Sequence, residues 1–128
     1  MTKYLFVLLL MITSHTFAQD AATDENIFKL SDVEVKPEFK GGVADFYKFI
    51  AKNFKMPDEE GLNGKIIVEF VIEKDGSISN INVIQDIGYG TDKETVRVFE
   101  NSPKWIPGKK NGEVVRTLYT IPITIKSS

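Results

Sequence analysis

The chain predicts an α+β two-layer sandwich: a three-stranded antiparallel sheet with both helices on one face, in the order α-β-β-α-β. Three observations carry this. Lys65 to Glu73, "KIIVEFVIE", alternates so that Ile66, Val68, Phe70 and Ile72 share one face, the period of a strand. Asp75-Gly76 follows, a two-residue hairpin signal because both positions tolerate positive φ, so the next strand returns antiparallel. Upstream, Phe46, Phe49, Ile50 and Phe54 recur at i, i+3, i+4 and i+8, the stripe of an amphipathic helix.

Residues 1–19 read as a secretory signal peptide. A positive start at Lys3 precedes an apolar run from Tyr4 to Ile12, and Phe17-Ala18-Gln19 offers a small-residue cleavage site. The alternative is an uncleaved anchor facing the periplasm, yet the run is well short of the roughly 20 residues that span a bilayer. Residues 20–36 read as a flexible leader and extended arm, and residues 37–128 as the folded domain. Within the arm, "DAATDEN" is polar and lacks aromatics, whereas Ile27 to Phe39 alternates loosely, as an extended arm or short edge strand would. Lys40-Gly41-Gly42 breaks it, and the first helix runs over Val43 to Phe54, ended by Pro57.

After the hairpin, Ile78 to Ile84 forms the returning strand. A second helix is expected over Lys93 to Asn101, capped by Thr91 or Asp92, with Val96 and Phe99 inward and Val98 at the margin. Pro103 stops it. In "NSPKWIPGKKNGEVV", Trp105 anchors the turn against the core, Pro107-Gly108 reverses the chain and Asn111-Gly112 starts the last strand. That strand, Glu113 to Lys126, puts Val115, Thr117, Tyr119, Ile121, Ile123 and Ile125 on one face. Counting strands along the chain, the expected order is 2-1-3. The most apolar strand belongs in the centre, and Pro122 belongs on an edge because it cannot donate to a ladder.

Composition narrows the function. With 128 residues, no cysteine and a net charge of -2, the chain can bury one modest core held by packing alone, and its acidity argues against nucleic-acid binding. The single His lies at position 15, so no Ser triad can form, and there is neither thiolate nor imidazole in the folded part for a metal. No enzyme activity, cofactor or metal is expected. Arg97, Lys104, Lys109, Lys110 and Arg116 read either as a solvated basic edge or as a lip steering an acidic peptide. The open feature is the last strand, whose unpaired backbone could accept another strand along Val114, Val115, Arg116, Thr117, Leu118 and Tyr119. Homodimer pairing, or cover by the arm at Val33 to Val35, are the other readings of that edge.

Five stretches fall into one register: "PEFKGG" from Pro37, "NFKMP" from Asn53, "GKIIVEFVIEKDGSI" from Gly64, "KETVRVFENSPKWIPGKKNGEVV" from Lys93 and "YTIPITI" from Tyr119. Together, over Phe39 to Lys126, they closely resemble the C-terminal domain of TonB-type energy transducers. The pattern elements are Gly64, Asp75, Gly76, Pro103, Trp105, Pro107, Gly108 and Gly112. The resemblance implies a periplasmic, Gram-negative domain that adds the TonB box of outer-membrane receptors to its sheet edge, with Met56 and Pro57 flanking the contact. Met56 stands where the family commonly has Tyr. A membrane helix and a long proline-rich spacer, usual in the family, are not evident. Partners would be TonB-dependent receptors or other envelope proteins, with a homodimer as a further option. Membrane contact would arise only through partners or an uncleaved N-terminus. An accessory module docking on an envelope complex is the alternative function.

Overall fold

The computed structural model describes residues 26–127; the segment expected to be a signal peptide, residues 1–19, and the first part of the leader, residues 20–25, lie outside the described residues. The chain runs β1 (Ile27–Lys29), a 3₁₀ turn (Leu30–Asp32), α1 (Val43–Asn53), β2 (Asn63–Ile72), β3 (Ile78–Gln85), α2 (Thr91–Glu100), β4 (Gly108–Lys110) and β5 (Glu113–Lys126).

The architecture is mixed α+β, with two helices on a five-stranded sheet of order β1-β5-β2-β3, β4 pairing separately with β5. The three long strands keep the expected neighbours, but the sheet is larger than three strands and not purely antiparallel. β1 lies parallel to β5, with Ile27, Phe28 and Lys29 opposite Arg116, Thr117 and Leu118. The last strand is therefore outermost only beyond Leu118. The β2–β5 ladder is continuous from Asn63↔Lys126 to Ile72↔Thr117, whereas β2–β3 has two register irregularities.

Alternation explains the core. Ile66, Val68, Phe70 and Ile72 of β2 and Ile121, Ile123 and Ile125 of β5 are buried on the face that Phe46 and Ile50 of α1 and Val98 and Phe99 of α2 cover. Phe46 is the hub. Its ring lies 5.0 Å from Phe39, 5.3 Å from Phe99 and 4.8 Å from Trp105, the last two edge-to-face.

Two local expectations shift. The hairpin closes with Glu73 N donating to Ser77 O (2.8 Å) and Gly76 N to Glu73 O (2.9 Å), so three residues, Lys74 to Gly76, lie between the bonded pair and only Gly76 takes positive φ, +89°. That is a three-residue hairpin loop with glycine at its left-handed position. α2 starts earlier than expected: Gly90 is its N-cap, and Thr91 is the first helical residue. Its hydroxyl donates to Gly88 O at 2.7 Å. Thr91 and Thr95 are buried with Val98 and Phe99, while Val96 is only half-buried, which rotates the inward face relative to the apolar pattern.

Candidate functional site: the open half of the last strand

Pro122 sets the phase of β5. Lacking an N–H, it must form a non-hydrogen-bonded pair with Ile67 opposite it. Alternation along the unbroken ladder then turns the backbone groups of Thr120, Pro122, Thr124 and Lys126 away from β2. Among the described residues, no strand lies against them. The Pro122 carbonyl accepts a hydrogen bond from the Tyr47 hydroxyl at 2.8 Å. The other sheet edge is a poorer template: β3 carries Asn80 at φ +49° beside the register irregularities, and such kinks discourage strand addition.

A groove of about 570 Å³ runs beside this open edge. Tyr47 and Ile50 of α1, Phe54 at its C-cap, the exposed Met56, and Ile123 and Ile125 line it, with Lys65 and Lys126 also bordering it. Its size falls within the range of ligand clefts, roughly 300–1,000 Å³. The Met56 wall is pinned from α2. Glu94 Oε2 accepts from Lys55 N at 2.8 Å, and Arg97 Nη2 donates to Asn53 O at 2.7 Å and to Glu94 Oε2 at 2.5 Å. These bonds satisfy backbone groups where α1 ends and fix the exit that presents Met56. Sequence periodicity does not reveal this role, because Glu94 is a charged residue half-buried beside the inward face of α2 and Arg97 is exposed.

The residues singled out from sequence divide between settings. Val114 and Val115 pair with Lys109 and Gly108 of β4. Arg116, Thr117 and Leu118 face β1, and Thr117 is fully buried. Tyr119 turns inward, its ring stacked 5.5 Å from Phe70 and edge-to-face 5.2 Å from Trp105. Met56 lies in the groove wall, and half-buried Pro57 follows it. The open edge is thus the later stretch, Thr120 to Lys126, which the sequence reading left out. Pro122 was the available signal, since a missing donor fixes which residues face outward.

The turn that carries Trp105 brackets the β2–β3 hairpin through the Trp105 backbone. Trp105, 3 % exposed, donates its backbone N–H to Gly76 O at 2.8 Å and its indole N–H to Ser102 Oγ at 3.3 Å. Asp75 Oδ1 accepts from Ser77 N and Oγ at 2.9 and 2.7 Å, which holds the Asp75 carboxyl below its usual range. Gly108 packs on Thr117 and Pro37, and Gly64 against Ile87. Pro103 is exposed, Pro107 half-buried, and Gly112 occupies the β4–β5 turn.

The basic residues do not converge on one lip. Arg97 serves Glu94 and Asn53, Lys104 lies 3.9 Å from Asp75, and Lys110 donates to Asp32 O at 3.0 Å while lying over the Phe28 ring. Arg116 Nε donates to Glu73 Oε1 at 2.7 Å, and Ser79 Oγ donates to Glu73 Oε2, tying β5 and β3 to the hairpin just past the end of β2. The Arg116 hydrogen bond foremost, then the one from Ser79, holds the Glu73 carboxyl below its usual range against the opposing effect of burial. A depressed folded-state value means this stabilisation is complete at neutral pH and fades as pH falls through the unfolded and then the folded value. The melting temperature of the wild type should therefore fall on acidification from pH 5 to 3. Glu73→Gln should melt lower at pH 7 and lose less over that window; equal slopes in thermal melts would count against the pairing.

Among the described residues, no group of His, Cys, Asp and Glu is placed to hold a metal, and no helix is long and apolar enough to cross a membrane. What fold and site define is a small α+β domain that presents a strand edge beside an apolar groove. Residues 55–126 match the family described as the Gram-negative bacterial TonB protein C-terminal, and the chain belongs to that family. It is a family of non-enzymatic, protein-interacting domains from energy transducers of the cell envelope. The match begins at Lys55, just past α1. Among curated proteins, none is similar enough to this chain to count as a match.

Proposed function

We propose that this domain binds an extended segment of an envelope protein, the TonB box of a TonB-dependent outer-membrane receptor, by adding it to β5 along Thr120 to Lys126. The open edge carries the reading: outward backbone groups beside an apolar groove suit an extended peptide, whose ladder bonds give affinity and whose side chains on one face enter the groove. Met56 and Pro57 flank the contact. Val114 to Leu118 would join it only if β1 and β4 withdrew. The domain works in the periplasm after removal of residues 1–19, and a mature mass beginning near Gln19 or Asp20 checks that placement.

Thr124→Pro tests the docking. The Thr124 N–H faces away from β2, so the substitution removes an outward donor and leaves the β2–β5 ladder intact. Labelled peptides covering the N-terminal segments of the host's receptors should bind the wild type and shift the Thr120 and Thr124 amides. Binding to Thr124→Pro should be at least about tenfold weaker, the equivalent of roughly 1.4 kcal/mol, with melting little changed. A concentration-dependent dimer abolished by the same substitution, with no peptide response, would instead assign this edge to self-assembly.

A further inference from the structure

Tyr47 has a place on this edge that core packing does not account for. It stands on α1 between the buried Phe46 and the half-buried Phe49, is 37 % exposed, and sends its hydroxyl across to the Pro122 carbonyl, 75 residues away in sequence. That carbonyl lies midway along the open stretch and points outward. Pro122 is also the one position there with no donor to offer. An added strand would lie about 4.8 Å from β5, with its N–H groups some 2.9 Å from the acceptors. The Tyr47 hydroxyl, at 2.8 Å, already occupies that distance, and the phenol forms part of the groove wall beside the edge.

We propose that Tyr47 is a gate on the docking edge: its hydroxyl holds the Pro122 carbonyl in the unoccupied protein and gives way to a peptide N–H when a strand is added. This inference rests on the docking reading above. The gate keeps the one outward acceptor that has no neighbouring donor from being left bare, which blunts casual strand pairing. It also imposes a cost on every incoming strand, so a segment must gain enough from the groove to displace it. Burial, with a smaller effect from Tyr119, pushes the Tyr47 hydroxyl above the usual tyrosine range, so it stays a donor at neutral pH.

Tyr47→Phe keeps the groove wall and removes only the hydroxyl. With the receptor-segment peptide that binds the wild type most tightly, the variant should bind about fivefold tighter, the equivalent of one net hydrogen bond of roughly 1 kcal/mol. The carbonyl carbon of Pro122 should differ between the two unbound proteins and coincide once both are saturated. If Tyr47→Phe binds equally or more weakly while the Thr120 and Thr124 amides still shift, Tyr47 is no gate and docking stands. If the Pro122 carbonyl differs between the saturated proteins, the hydroxyl stays on it and the gate is likewise overturned. If no peptide shifts those amides in either protein, the docking reading fails and takes the gate with it.

Discussion

Replacing Phe46 by alanine should cost about 3–5 kcal/mol, the range for emptying a fully buried aromatic site. Phe46 has no solvent exposure, and its ring meets those of Phe39, Phe49, Phe70, Phe99 and Trp105. It is thus the one side chain that joins the arm, both helices, the central strand and the Trp bracket. A single domain has roughly 5–15 kcal/mol in total, so this one change removes a large share. Near 100 residues each kcal/mol moves the melting temperature by about 4–8 °C; a fall of roughly 15 °C or more is expected in calorimetry. Phe46→Leu, which leaves less of a void, should lose clearly less. A fall under 5 °C for the alanine variant would mean that the neighbouring rings collapse into the space, and the hub assignment would be wrong. Emission from Trp105, the only tryptophan, should shift to the red in the alanine variant as its packing loosens.

The long strands were legible because their pattern is local and strict. β2 alternates from Lys65 to Phe70, before Val71 is buried as well, and β5 keeps one inward face from Val115 to Ile125, so both were readable without knowing what they paired with. The mutual order of β3, β2 and β5 followed from which strand is most apolar and where the proline falls. β1 was not legible as a partner of β5. Three residues, Ile-Phe-Lys, carry no measurable period, and their pairing is parallel to a strand almost ninety positions later, set by tertiary contacts alone. That missed contact, together with β4, displaced the candidate edge: a strand read as open from Val114 is paired with β4 at Val114 and Val115, with β1 from Arg116 to Leu118, and open after it. The start of α2 was missed for a related reason. Thr91 and Thr95 are polar by composition, yet their hydroxyls are satisfied within the chain by Gly88 O and Thr91 O, which lets them be buried. The Glu94–Arg97 clasp was invisible because both residues look like an ordinary pair one helical turn apart.

Gly76→Ala should be the second most damaging single change, although it adds only one carbon. At φ +89° a side chain is strained, which by itself costs about 1–2 kcal/mol. Here the added Cβ would also stand 2.0 Å from the Trp105 carbonyl oxygen and 3.2 Å from its nitrogen, both backbone atoms that no rotamer can move aside. The hairpin and the bracket must separate, breaking the Trp105 N–H to Gly76 O bond that joins them. A total near 3 kcal/mol is expected, about 12 °C or more in melting temperature. Gly112→Ala supplies the comparison, since Gly112 has nearly the same dihedral, +81°, and nothing within 4 Å of its would-be Cβ. It should cost only the strain. The difference between the two variants therefore isolates the hairpin–bracket contact from the backbone term they share. Equal losses would show that the contact yields easily and that Trp105 does not lock the turn. A larger loss at Gly76, together with a red shift of the Trp105 emission that Gly112→Ala lacks, would place the bracket on the hairpin. Because Trp105 also touches Tyr119, at the start of the open edge, the same variant should weaken peptide binding at Thr120 more than Gly112→Ala does.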